Sequence, residues 1–136
     1  MKILAVDLGD VRSGVAISDT NEILASPIGT ITEPDREILL QEILDIIEES
    51  KVGKVVLGLP KNMDGSEGDS AKKARAFGDS LRKVSGLEVT FQDERGTTLE
   101  ASGYLNVSDV RGKKRKKVID SVAATIILQN YLDSRK

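Results

Sequence analysis

The chain has 136 residues, 39% of them hydrophobic and 31% charged, a composition typical of one ordered globular domain. It contains no cysteine and no histidine, which excludes disulfides, thiolate chemistry, cysteine-bound zinc and a Ser-His-Asp triad. Any enzymatic chemistry must therefore use carboxylates, hydroxyls, Lys, Arg and backbone groups, and carboxylates bind hard cations such as Mg²⁺ and Mn²⁺.

The sequence gives no sign of a membrane protein. No apolar run approaches the ~18 residues of a membrane span, and Asp7 comes too early for a signal peptide. We therefore expect a cytoplasmic protein with no membrane partner.

The net charge of −2 is unevenly distributed. Positions 111–117 carry six basic residues and no acid, so the rest of the chain has 14 basic residues against 22 acidic ones, or about −8. A basic block on an acidic body predicts one local contact with an anion, and phosphate is the natural partner. The alternative is that the basic block has no binding role and belongs to a solvated loop or helix edge. The six residues are Arg111, Lys113, Lys114, Arg115, Lys116 and Lys117.

The first half of the chain predicts three strands and a helix. Residues 2–8, 14–18 and 23–31 have strand-like patterns, with a polar turn at 19–21, so an antiparallel meander is expected. Thr32, with Asp35 three residues on, predicts the cap of a helix, and apolar residues then recur at helical spacing.

The second half predicts alternating strands and helices. Residues 52–59 and 87–92 are expected to be strands, and Ser66 with Asp69 caps a helix that runs to about residue 84. Thr97 opens another helix to about residue 106, and residues 118–132 form a last, nearly all-apolar helix. The predicted order β-β-β-α-β-α-β-α-α gives one α/β domain over residues 1–136. Its mixed five-stranded sheet has three antiparallel strands, then two parallel ones, and is flanked by helices.

Four acidic residues stand at the ends or starts of these elements. Asp7 interrupts an apolar strand, Asp93 and Glu94 follow the strand at 87–92, and Asp120 lies in the first turn or so of the last helix. Carboxylates that converge at one sheet edge repel each other, and a divalent ion offsets that repulsion. Burial beside an ordinary partner explains any single one of them; together they favour a metal site.

Two turns could hold phosphate. Residues 7–14 keep the backbone open beside Asp7, and Arg12 could reach a phosphate from there. Residues 61–66, which include Lys61 and Asn62, follow a strand and lead into a helix, whose first amides favour an anion. An ordinary turn is an equally good explanation of this second segment, and it lacks the Walker A spacing.

A metal cluster near a basic block predicts two-metal phosphodiester hydrolysis. Aromatic residues make up only 3% of the chain, so recognition of nucleic acid through its backbone and shape fits better than base stacking.

Four motifs resemble the YqgF family, also called RuvX, and they span nearly the whole chain in order. They are residues 3–9 (ILAVDLG) with 12–16 (RSGVA), residues 58–66 (GLPKNMDGS), residues 93–95 (DER) with 97–98 (TT), and residues 113–117 (KKRKK) with Asp120. The resemblance implies an RNase H-like fold and a metal-dependent nuclease.

By motif, the resemblance makes Asp7 the metal ligand of the first strand, Asp93 or Glu94 the second acidic element, and Asp120 the helical one. Which of the adjacent pair faces the metal stays open, because alternation places Asp93 with Phe91 on one side and Glu94 with Gln92 on the other. The expected phosphate contacts are Arg12, Lys61, Asn62, Arg95, Arg111, Lys113, Lys114, Arg115 and Lys116.

Family members are described as nucleases that mature the 5′ end of the small-subunit ribosomal RNA precursor and as Holliday-junction resolvases. We expect RNA processing first, with a possible ribosome-associated partner, and junction resolution second. The chain could act as a monomer or a homodimer, since a resolvase makes paired symmetric cuts. Two other classes remain: nucleotide binding of the actin and heat-shock chaperone kind, and a non-catalytic nucleic-acid-binding module.

Overall fold

The five strands and three helices of the described residues follow the predicted order. The computed structural model describes residues 1–93 and 112–135, with residues 112–121 described as helical backbone alone. The predicted helix at 97–106 lies outside these residues. The strands are β1 (Lys2–Asp7), β2 (Arg12–Ser18), β3 (Ala25–Thr32), β4 (Val52–Leu59) and β5 (Glu88–Asp93), and the helices are α1 (Arg36–Ser50), α2 (Asp69–Ser85) and α3 (Gly112–Ser134).

The strands form one mixed sheet in the order β3-β2-β1-β4-β5. β1 pairs antiparallel with β2 and β2 with β3, whereas β1 pairs parallel with β4 and β4 with β5. The prediction of three antiparallel strands followed by two parallel strands is confirmed.

The strand directions define one edge of the sheet, which we call the carboxyl edge, where β1, β3, β4 and β5 all end. Helices α1 and α2 follow β3 and β4, so both begin near this edge. Helix α3 ends at the opposite edge: Gln129 is bonded to Ala25 and Ile23 beside the β2–β3 turn, and Arg135 lies 2.6 Å from Glu22. The start of α3 therefore points towards the carboxyl edge.

Apolar side chains alternate between the two faces of the sheet. Ile3, Ala5 and Val56 pack against α3, and we call this side the α3 face. Leu4, Val6 and Leu57 pack against α1 and α2 on the other side, the α1–α2 face. Strand alternation thus assigns each remaining residue of β1, β4 and β5 to one of these faces.

Two predicted helix caps are wrong. Thr32 still pairs with Arg12 in the sheet, and Asp35 caps α1 by accepting hydrogen bonds from the amides of residues 37 and 38. Gly68, not Ser66, is the N-cap of α2, and it makes no side-chain capping bond. Ser66 instead accepts a hydrogen bond from the Asn62 amide and donates one to Asp64.

The last helix starts earlier than predicted. It begins at Gly112 instead of residue 118, so most of the basic block is helical. Lys and Arg are good helix formers, which allows the helix to extend through the block. Asp120 consequently lies in the third turn instead of the first. Within the described parts of the chain, no helix is both long and apolar enough to span a membrane.

Candidate metal and nucleic-acid site

Asp7 lies at the end of β1 and is half-buried. Its strand neighbours Ile3 and Ala5 point into the core under α3, so alternation assigns Asp7 to the α3 face at the carboxyl edge. A half-buried carboxylate at this place is costly unless it has polar or cationic partners. Asp7 does take part in at least one polar interaction.

Glycines flank Asp7 on both neighbouring strands. Gly14 pairs directly with it on β2. On β4, Gly58 comes one residue after the Val6–Leu57 pair and shares the α3 face with Val56. Both glycines are buried. A side chain at either position would stand about 5 Å from the carboxylate on the same face, so the two glycines leave room beside it.

Asp93 ends β5 on the other face. Phe91 packs into the cluster of the α1–α2 face, and Leu59, the register partner of Asp93, packs there with α2. Alternation therefore assigns Asp93 to the α1–α2 face and Gln92 to the α3 face. Since β4 separates β1 from β5, Asp7 and Asp93 are also two strand spacings apart, about 10 Å.

The remaining predicted ligands are described less fully. Glu94 lies outside the described residues, and Asp120 is described only as part of the α3 backbone. Among the side chains that are described, no three acidic residues lie close enough together to hold a metal ion. The predicted cluster of Asp7, Asp93 or Glu94, and Asp120 stays a prediction.

Arg12 begins β2 beside the carboxyl edge. It alternates with Gly14 and Ala16, and Ala16 packs under α3, so Arg12 shares the α3 face with Asp7. Its side chain is half-buried and has an interaction partner. Of the basic residues predicted to bind phosphate, Arg12 is therefore the one that the described structure brings to the face and edge of Asp7.

A tight loop joins Asp7 to Arg12. A Cβ on Gly9 would lie 2.0 Å from the Arg12 carbonyl oxygen, so this approach requires glycine. The Gly9 amide donates to the buried Ser13 hydroxyl at 3.2 Å. This loop fixes the chain on both sides of the carboxylate.

The segment after β4 is an ordered turn. Lys61 and Glu67 form an isolated β-bridge, and the Asn62 side chain donates to Ser66 at 2.9 Å. Asn62 was predicted to contact phosphate, but its side-chain amide donates one hydrogen bond within the turn itself. Gly65 has a φ of 90°, as such a turn requires. The local geometry of residues 61–66 is that of an ordinary turn, the alternative to a phosphate-binding segment. Lys61 is half-buried beside this turn.

Arg75 anchors this turn to the sheet. Its guanidinium donates two hydrogen bonds to Glu67, at 2.6 and 2.8 Å, and lies 5.1 Å from the centre of the Phe91 ring. The hydrogen bonds from Arg75 lower the pKa of the Glu67 carboxyl. The loop beside the carboxyl edge is therefore held by a bidentate pair.

The other predicted phosphate contacts fall in two groups. Arg95 and Arg111 lie outside the described residues, and Lys113, Lys114, Arg115 and Lys116 are in the first turns of the α3 backbone. Sequence reasoning did not single out Arg36 and Lys73, which lie 3.8 and 3.5 Å from Asp10 at the same edge. Nothing in their local sequence pattern marks them, because α1 and α2 bring them together from distant positions.

Two solved structures that share this fold are resolvases. Thermus thermophilus RuvC in complex with a Holliday junction substrate superposes with a TM-score of 0.63 at 12% identity, covering 99% of this chain and 95% of that one. The Fowlpox virus resolvase in complex with Holliday junction DNA gives 0.61 at 16% identity, covering 99% of both chains. The fold is RNase H-like, which confirms the prediction.

The family follows from closer comparisons. The RuvX family model, described as Holliday junction resolvase, matches residues 1–134, so the chain belongs to the RuvX family. A Caldanaerobacter subterraneus relative named "Putative pre-16S rRNA nuclease" is 49% identical, covering 100% of this chain and 99% of its own. A Lactococcus lactis relative with the same name is 45% identical, covering 98% and 94%.

Proposed function

We propose that residues 1–136 form one nuclease domain that uses divalent metal ions to hydrolyse phosphodiester bonds in structured nucleic acid. The observation that carries this proposal is the setting of Asp7: a half-buried carboxylate at the carboxyl edge, flanked by the buried glycines Gly14 and Gly58. An all-oxygen ligand set in a chain without His or Cys suits Mg²⁺ or Mn²⁺.

Asp120 is the helical ligand in this proposal. Residues four and seven apart share a helix face, so position 120 belongs to the stripe of Ala124 and Ile127. Those two residues are buried against the sheet on the α3 face. Because α3 runs from the carboxyl edge, position 120 is closer to that edge than either of them, in the direction of Asp7.

Glu94 is the ligand that we propose from the adjacent acidic pair. Gln92 shares the α3 face with Asp7, and continued alternation gives the same face to the residue two positions later. A glutamate side chain is also longer than an aspartate side chain, which suits a carboxylate that extends past Gly58 of β4 towards Asp7. Asp93, assigned to the α1–α2 face, is the alternative.

Divalent ions held by Asp7, Glu94 and Asp120 would supply the activation of a water and the stabilisation of the leaving oxygen in an in-line displacement. The chain's own residues hold and orient the nucleic-acid backbone. Arg12 lies on the face of Asp7, and Lys61 and Asn62 would add phosphate contacts from the turn after β4. Arg95 and Arg111 are further proposed phosphate contacts. These groups position a phosphodiester and leave its bases unread.

The basic residues of α3 support a polyanionic partner. Five of them occupy positions 113–117, within the first turns of the helix, and the first turn contains no acid. Cations at a helix start are unfavourable because the helix dipole is positive there. A contact with phosphates would offset this cost, so the block is better suited to nucleic acid than to stabilising the free protein.

The names of the close relatives favour the precursor of 16S ribosomal RNA as the substrate, with action in the cytoplasm. The family description and the resolvase complexes favour a four-way DNA junction as the second candidate. Resolution of a junction would require a homodimer that makes two symmetric cuts. Processing of RNA requires only one active site, with or without a ribosome-associated partner.

The test is cleavage of both substrates by the purified chain. A labelled precursor RNA fragment and a labelled four-way junction are each incubated with Mg²⁺, Mn²⁺ or EDTA. We expect cutting with metal and none in EDTA, and RNA is expected to be cut faster. Faster cutting of the junction would select the resolvase, and no cutting of either by folded, metal-loaded protein would leave a binding module.

A further inference from the structure

A small hollow lies beside the proposed metal site, between the β1–β2 loop and the starts of α1 and α2. Its volume is about 120 Å³. The residues that line it are Leu8, Gly9, Asp10, Arg36, Ser70 and Lys73. Three separate segments of the chain thus meet here, two of them bringing a cation.

The two cations share one weakly held partner. Arg36 Nη2 is 3.8 Å and Lys73 Nζ is 3.5 Å from the same oxygen of Asp10. The Asp10 side chain is 81% exposed, so neither contact is worth much in water. One exposed carboxylate therefore lies beside two positive charges.

Arg36 has hydrogen-bonding capacity to spare. Its Nη1 atom is buried and has no hydrogen-bond partner among the described residues. A buried donor of a charged group that lacks a partner is costly, so such donors are rare in native proteins. The described residues therefore leave part of the Arg36 guanidinium unsatisfied, and its Nη2 atom lies on the side of Asp10.

The start of α2 adds a second attraction for an anion. This 17-residue helix has Gly68 as its N-cap, which makes no side-chain capping bond. Ser70, in its first turn, lines the hollow. The first amides and the positive end of the helix dipole favour a negative group on the side where Arg36 and Lys73 lie, and Asp69 in the first turn offsets part of this attraction.

We propose that this hollow binds a phosphate of the nucleic-acid substrate, and that Asp10 occupies its place in the free protein. The inference rests on the proposed nuclease function and extends its substrate contact to the α1–α2 side of the edge. Asp10 is three residues from Asp7, at most about 11 Å along the chain. One strand of the nucleic acid could therefore contact both the proposed metal site and the hollow.

A neighbouring groove favours a nucleotide over free phosphate. It has a volume of about 260 Å³, runs between α1 and α2, and shares Arg36 and Lys73 with the hollow. Leu40, Ala76 and Phe77 give it an apolar wall, and Glu37 and Ser80 lie at its side. A sugar or base attached to the bound phosphate could lie there, whereas inorganic phosphate would leave the groove unused.

The test is the affinity for labelled precursor RNA in EDTA, where no cleavage interferes. Lys73→Gln and Arg36→Gln should each weaken binding by about 3–10-fold, and the double variant should reduce the slope of log K against log salt by ~0.7–0.9. Asp10→Asn should tighten binding by about 2–5-fold, because it removes a competing charge next to a phosphate.

Lys83→Gln is the matched control, since it makes the same charge change in the last turn of α2. Thermal unfolding of each variant checks that Arg36→Gln still folds; Asp10 and Lys73 are exposed at the surface and decide the question independently. If Lys73→Gln and Asp10→Asn bind RNA like Lys83→Gln, the proposal is wrong. If inorganic phosphate, at the same concentration as the RNA, displaces the RNA from the chain, the hollow is a site for free phosphate and the nucleic-acid assignment is wrong.

The affinity measurement is independent of catalysis. Unchanged affinities together with metal-dependent cleavage by the unmodified chain would reject the phosphate subsite and keep the nuclease. The expected affinity changes in a chain that cuts nothing would keep the subsite and reject the nuclease.

Discussion

At the scale of single residues, the setting of Asp7 depends on what stands next to it. Its carboxylate is half-buried, and the buried residues Gly14 and Gly58 lie beside it on the two neighbouring strands. Larger residues at these places would fill the α3 face and leave no room for an ion. We therefore regard the two glycines as part of the proposed site, although neither has a side chain to offer.

The adjacent acids Asp93 and Glu94 provide a direct test of the face assignment. Glu94→Gln should slow cleavage by more than ~100-fold, because loss of a metal ligand costs at least as much as loss of its supporting partner. Asp93→Asn should slow it by less than ~3-fold, since Asp93 is assigned to the other face of the sheet. Single-turnover cleavage with saturating substrate measures both rates.

The two variants are each other's control, because they remove one charge at neighbouring positions. Substrate affinity in EDTA should be similar for both. A severe defect in Asp93→Asn with a mild one in Glu94→Gln would mean that the strand turns at its end and brings Asp93 to the metal.

The sequence predicted part of this arrangement. Strand alternation separated Asp93 from Glu94, but the face that Asp7 occupies depends on packing: Ala5 contacts α3, and Phe91 packs with α1 and α2. The hollow around Asp10 could not be predicted, because Arg36 and Lys73 are 37 positions apart and come together only through the packing of two helices.

At the scale of elements, α1 begins with a side-chain cap that can be tested separately. Asp35 accepts hydrogen bonds from the amides of Glu37 and Ile38, at 2.9 and 3.2 Å. Asp35→Ala should lower the free energy of unfolding by about 1 kcal/mol. Thr32→Ala, at the cap position expected from the sequence, should change it by less than ~0.5 kcal/mol. Urea unfolding monitored by circular dichroism distinguishes them; a larger loss in Thr32→Ala would contradict the cap assignment.

The edge strand β5 is joined to β4 by an ion pair. Lys54 lies 2.7 Å from Glu88 and 5.0 Å from the centre of the Tyr131 ring. Hydrogen bonding to Lys54 lowers the pKa of Glu88. Burial lowers the pKa of Lys54, but its hydrogen bonds with Glu88 and Tyr131 outweigh burial, so that pKa is raised. Both shifts indicate that the charged pair is favoured in the folded state.

These shifts predict the pH dependence of a Glu88→Gln variant. The contribution of Glu88 is fully present above its ordinary pKa of 4.5 and is lost as the pH falls through the lowered folded value. The contribution of Lys54 is fully present below 10.5 and is lost only above it. Between about pH 4.5 and 10.5, the unmodified chain should therefore be more stable than Glu88→Gln by a small, constant amount. This difference in stability should vanish in acid.

Thermal unfolding across this pH range measures the difference. Glu49→Gln, an exposed change on α1, is the control for loss of a negative charge. A difference that persists unchanged well below pH 4 would show that Glu88 acts through packing and not through its charge.

Element prediction was good in the middle of elements and poor at their ends. The strand at Val52–Leu59 has its predicted bounds, because an apolar run between a helix and a proline leaves little choice. Asp35 and Gly68 are the caps instead of Thr32 and Ser66, because several Ser, Thr and Asp residues near each helix start could serve as caps. Thr32 is paired in the sheet, and the Ser66 side chain is bonded within the turn. The basic block has no apolar residues at helical spacing, so the sequence pattern did not predict that α3 begins at Gly112.

At the scale of the whole molecule, the topology brings the proposed functions to one edge. β1, β4 and β5 end there, α1 and α2 begin there, and α3 runs away from it. Asp7 lies on the α3 face of this edge, and the hollow of Arg36 and Lys73 lies at the starts of α1 and α2. The helix starts and the basic residues of α3 favour the approach of a polyanion, while Asp35 and Glu37 at α1 and Asp69 at α2 offset part of this attraction.

The proposed function requires that Asp7 holds a metal ion on which cleavage depends. The most direct measurement is the rate of precursor-RNA cleavage as Mg²⁺ or Mn²⁺ is titrated, for the unmodified chain, Asp7→Asn and the control Asp45→Asn, an exposed acid on α1. We predict that the unmodified chain and the control rise to the same plateau. Asp7→Asn should bind the RNA equally well and cut at most ~1% as fast at every metal concentration. Cleavage by Asp7→Asn at the rate of the control, or cleavage that persists in EDTA, would show that cleavage does not depend on a metal ion held by Asp7.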